Sequence, residues 1–122
     1  MKALLLALLL SGCATADYAQ LADVGTTAVG FSQGFVEANP VLSGLPIAGI
    51  AVAKIGITQG FKLAPKEFCE PGLFVLTLSG SGAALWNIAV IAGSGPAAIP
   101  VIAGLWAWQW DNWQADAVKD CQ

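Results

Sequence analysis

Hydrophobic and polar positions alternate in long blocks along this chain. Apolar runs at 18–38, 44–62, 72–92 and 97–113 are rich in alanine and long enough for helices, and they predict four of them. Asn39-Pro40 closes the first, because the residue before a proline avoids helical geometry. Ser43 is the expected N-cap of the second, with Pro46 in its first turn. A charged loop at 62–71 precedes the third, and Gly93-Ser94-Gly95-Pro96 predicts a tight turn before the fourth. Pro100 is expected to shorten or kink that last helix. The fold class expected is all-α: a small membrane-embedded helical bundle of about four helices after a cleaved signal.

The membrane reading comes from composition. Hydrophobic residues make up 57% of the 122 positions and charged residues 11%, against about 25% charged in soluble domains. Positions 71–110 hold no charged residue. A soluble helix needs a polar face, and a bilayer does not impose one. Glycine, a poor soluble-helix residue, is common in membranes. Gly30-x-x-x-Gly34 and Gly56-x-x-x-Gly60 fit small-residue helix packing.

Charge and residue inventory exclude several functions. A net charge of −3 leaves no basic footprint for nucleic acid. Histidine is absent, and the three cysteines lack CxxC spacing, so no metal site and no cofactor are expected. Ser79, Ser81, Cys69 and Cys121 have no base beside them in the sequence pattern, so no enzyme is expected. The partners expected are membrane lipid and either a second copy or another membrane protein.

Helix 1 carries the chemistry. Asp23, Thr27, Gly30, Gly34 and Glu37 recur at spacings of 4, 3, 4 and 3, which sets them on one stripe. Val24, Ala28, Phe31 and Phe35 form a bulkier apolar stripe. Lys54 is the basic residue inside helix 2. Counted from the outer helix ends at 1.5 Å per residue, Asp23 lies about 8 Å deep and Lys54 about 12 Å deep. A lysine stem covers that difference, so the two are expected to pair. Glu37 and Asn39 sit near the opposite face. The pair reads either as charge neutralisation that fixes packing or as part of a proton or ion relay.

Trp106, Trp110 and Trp113 share a face of helix 4 where the polar residues begin, as expected of indoles at a membrane interface. An aromatic ligand platform is the alternative.

The N-terminus resembles that of bacterial lipoproteins: Lys2, an apolar run at 3–10, then Leu10-Ser11-Gly12-Cys13. The run is too short to span a bilayer and suits a signal segment. The resemblance implies a signal at 1–12, lipid on the Cys13 thiol, a linker at 13–17, the bundle at 18–113 and a polar tail at 114–122. Ala14 after the cysteine points to an outer-membrane lipoprotein. The hydrophobic spans point to the inner membrane with the N-terminus outside, and they are the larger energetic term. Four spans then return 62–71 and the C-terminus to the outer face. There Cys69 and Cys121 form either a disulfide or two free thiols.

Asp23-x-x-x-Thr27, Gly34-x-x-Glu37-x-Asn39-Pro40, Lys54 in the second span and Asn87 in a later one resemble small bacterial integral-membrane proteins of unknown function. The resemblance covers about 21–90. It implies a helical bundle with clustered polar residues and no particular activity. The lipobox and fourth hydrophobic segment depart from the pattern and suit a phage-encoded or otherwise specialised relative. Three functions follow: a non-catalytic membrane protein acting through helix packing; a transporter, channel or holin-like permeabiliser; and a periplasm-facing lipoprotein with a soluble helical core.

Overall fold

Proline and glycine set the helix limits. In the computed structural model, which describes residues 15–35 and 44–122, four α-helices and one short 3-10 turn are present, with no strand among the described residues. Helix α1 spans Thr15–Ser32, α2 Ile47–Leu63, α3 Lys66–Ile91 and α4 Ala98–Asp120, with the 3-10 turn at Gly95–Ala97. The all-α expectation holds. Cys13, Glu37, Asn39, Pro40 and Ser43 lie outside the described residues.

Helix α1 ends earlier than the expected residue 38. Gly34 takes φ +88°, and Phe35 N–H returns to Gly30 O at 3.0 Å while Gly34 N–H returns to Phe31 O at 3.1 Å. This is the Schellman arrangement, in which a left-handed glycine closes the helix. Gly34 therefore terminates α1 and does not extend its stripe. Gly93 ends α3 in the same way, with φ +88° and Ser94 N–H bonded to Ala89 O at 2.8 Å.

The charged segment 62–71 is largely helical, against expectation. Pro65 is the N-cap of α3, and Pro71 lies inside that helix. A proline removes one intrahelical donor. Here the first turns of α3 are held from outside by the Cys69–Cys121 disulfide and by packing around Cys69, Leu73, Ala16 and Ala117. Pro46 likewise caps α2 from outside its first turn. Helix α4 continues to Asp120, so the expected polar tail is mostly helical. Ala117 buries against the same cluster, and Thr15 donates to Asp116 at 2.9 Å.

The chain runs up, down, up and down, with α3 in the middle. Three α3 glycines admit the other three helices. A Cβ on Gly72 would meet the Phe61 ring of α2 at 2.2 Å, one on Gly80 the Ala19 backbone of α1 at 2.7 Å, and one on Gly82 the Trp106 ring of α4 at 2.8 Å. The expected packing glycines do not serve this way: nothing lies within 4 Å of a Cβ on Gly34, Gly56 or Gly60.

Charge is segregated. Among the described residues, every charged side chain except Asp23, Lys54 and Asp111, which stands near the middle of α4, lies toward the end that holds the disulfide. Beyond it, α3 rises from Phe74 to Ile91 over about 26 Å, close to the roughly 30 Å of a bilayer core. Among the described residues, α3 is the one helix long and apolar enough to cross a membrane by length and composition.

Candidate functional site: a polar spine between three helices

The buried face of α1 is polar. Asp17, Gln20, Asp23 and Thr27 are buried together with Ala16 and Gly30. Their spacings of 3, 3 and 4 hold them on one stripe. Each polar group on it is matched by a partner on a neighbouring helix.

Asp23, 4% exposed, is the centre. Its Oδ2 accepts from Lys54 Nζ of α2. Its Oδ1 accepts from Thr27 Oγ1 at 3.3 Å and from Asn87 Nδ2 of α3 at 3.3 Å. Asn87 Nδ2 also reaches Thr26 Oγ1 and Thr27 Oγ1, each at 3.1 Å. Of the six residues expected to form a polar cluster, Asp23, Thr27, Lys54 and Asn87 are thus brought together from three helices, and Glu37 and Asn39 lie outside the described residues. By helix rise, Asp23 stands about 12 Å and Lys54 about 14 Å from the charged end of the bundle. Their levels match, as the pairing requires.

Two further ties escaped the sequence reading. Lys62 Nζ and Gln59 Nε2 (3.1 Å) donate to buried Asp17. Gln20 Nε2 donates to Leu76 O of α3 at 2.7 Å, beside the Gly80 notch. Asp17, Gln20 and Asp23 share one helical face, and that spacing was the available signal. Buried Thr58 and Thr77 bond back to Lys54 O and Leu73 O, each at 2.9 Å, and need no partner helix.

The tryptophans divide between inward and outward positions. Trp106 lies over Gly82 and donates its indole N–H to Ser81 Oγ at 3.3 Å. Trp110 meets Phe74 edge to face at 4.9 Å. Trp113 is half-buried, and Trp108 points outward at 75% exposure. Cys69 and Cys121 form a disulfide with Cα atoms 5.9 Å apart.

A cavity of about 480 Å³ opens beside the spine. Asp23, Thr27, Lys54 and Asn87 give it a polar floor, and Ile57, Trp86, Ile102 and Trp106 give it apolar walls. No cluster suited to a metal ion occurs among the described residues. The chain matches no family model, no curated protein and no solved structure.

Proposed function

We propose that this chain is a small, lipid-anchored integral-membrane protein without catalytic activity, and that it acts by packing its helices against a second copy or a membrane partner. The observation that carries the reading is inverted polarity. Asp17, Gln20, Asp23, Thr27, Thr58 and Thr77 are buried, while Val52, Val75, Ile88, Ile99 and Trp108 face outward. A water-soluble bundle arranges these classes the other way round. In a bilayer, ionisable groups turn to the bundle interior and pair.

The disulfide supports an orientation. Disulfides persist on the oxidising side of a membrane, and α1 begins at that same end, two residues after Cys13 in the sequence. Lipid on Cys13 and the disulfide then occupy one face, with the bundle in the bacterial inner membrane. The resemblance to small bacterial integral-membrane proteins belongs to the same proposal.

Carbonate extraction of Cys13→Ser tests it. Without its lipid the protein stays in the membrane pellet. Release into the soluble fraction would instead establish a lipoprotein with a soluble helical core. The cavity at Asp23 and Lys54 favours a second reading, a small transporter or permeabiliser. For that reading, proteoliposomes show a solute flux that Asp23→Asn abolishes; flux no greater than in empty vesicles removes it.

A further inference from the structure

We infer that the cavity beside Lys54 is a binding site for a neutral, membrane-soluble aromatic molecule that carries a carbonyl group. The inference rests on the membrane reading above and starts from a donor count. Asp23 already accepts three hydrogen bonds: Oδ2 takes Lys54, and Oδ1 takes Thr27 and Asn87. The Asn87 amide is spent on α1 oxygens, Gln20 Nε2 on Leu76 O, and the Ser79 hydroxyl on Leu76 O at 3.3 Å. Lys54 differs. An ammonium has three N–H donors, and among the described residues Asp23 is its one acceptor. Two donors are left over at the edge of the cavity, and in a medium poor in water they require an acceptor oxygen.

Charge narrows the class. Lys54 and Asp23 together are neutral, and the residual field at the lysine favours a partial negative charge. A cation would meet Lys54 first. A full anion would surrender its hydration at this depth, with Asp23 already offsetting most of the attraction. A carbonyl dipole escapes both penalties.

The walls supply the rest. Trp106 is fixed by Gly82 behind it and by Ser81 on its N–H, and Trp86 lines the same space. Indole faces favour an offset or edge contact with an aromatic ring. The volume falls within the usual range for small-molecule sites, about 300–1,000 Å³. Ile57 and Trp86 are exposed as well as cavity-lining, so entry is lateral, from lipid.

Three probes with one ring system test the site on the full-length, disulfide-intact protein in detergent: methyl naphthyl ketone, naphthalene and naphthoate. Binding is read by ligand-observed NMR against empty micelles. The ketone binds about tenfold tighter than naphthalene, the increment of one hydrogen bond to a charged donor, and tighter than naphthoate. Ala83→Leu fills the cavity and weakens ketone binding about tenfold at an unchanged melting midpoint. Lys54→Met removes the preference for ketone over naphthalene. Equal wild-type affinity for ketone and naphthalene, tightest binding of naphthoate, or an indifferent Ala83→Leu overturns the site. The wild-type probe series and Ala83→Leu decide the matter even where Lys54→Met fails to fold. A negative result here leaves the carbonate-extraction outcome as it stands, so the two failures are distinguishable.

Discussion

Lys54 and Asp23, 31 residues apart in sequence, meet between α1 and α2 with Asn87 of α3 on the other carboxylate oxygen. Both side chains of the pair are largely buried. Removing one partner strands the other charge, a loss of about 3–5 kcal/mol for buried pairs. Asp23→Ala and Lys54→Ala each lower the melting midpoint of the purified protein strongly. The double variant is milder than the sum of the two. Strict additivity would mean that the contact contributes nothing.

The α3 glycines make a sharper contrast. Gly80→Ala places a methyl group 2.7 Å from the Ala19 backbone, which forces α1 away from α3 and stretches the Gln20–Leu76 bond. Overpacking of this kind costs about 1–3 kcal/mol. Gly56→Ala meets nothing within 4 Å and gains helix propensity of up to about 1 kcal/mol. Thermal unfolding in one detergent ranks Gly56→Ala at or above wild type and Gly80→Ala well below it. The reverse order contradicts the assigned packing.

The disulfide closes a sequence separation of 52 residues across the α3–α4 hairpin. A loop of this length corresponds to about 4 kcal/mol in the chain-entropy estimate. Cys69→Ala/Cys121→Ala therefore unfolds at a clearly lower temperature. Thiol alkylation of freshly isolated membranes labels neither cysteine until reductant is added. Labelling of both without reductant places this end of the bundle on the reducing side and reverses the proposed orientation.

The proposed lipid on Cys13 has its own assay. A fatty-acid probe labels wild type and not Cys13→Ser. Equal labelling of the two removes the proposed anchor and leaves the proposed membrane location to rest on the helical bundle alone.

Much of the bundle was legible because helix existence follows apolar block length. The Asp23–Lys54 contact was legible because helix rise converts sequence position into depth. Where the structure departs from the expected helix limits, one cause recurs: neither a polar run nor a proline ends a helix by itself. Lys66, Glu67 and Glu70 are polar yet helical, since Pro65 starts α3 and the cross-link at Cys69 secures its first turns. Asp116 and Lys119 are helical because Ala117 and Cys121 tie α4 to α3. Gly34 and Gly80 show what the sequence hides. Both are glycines in an apolar setting, but one supplies a left-handed turn and the other a close approach. Only the neighbours in space separate those roles.

The proposed membrane location requires that the outward apolar face of the bundle meet lipid. Spin labels at Val52→Cys on α2 and Val75→Cys on α3, whose native side chains are 71% and 57% exposed, report it directly in reconstituted bilayers. Oxygen, which partitions into the acyl region, should relax both labels fast, and a water-soluble nickel chelate should relax them weakly. Strong relaxation by the chelate and weak relaxation by oxygen at both sites would put that face in water and rule out the proposed membrane location.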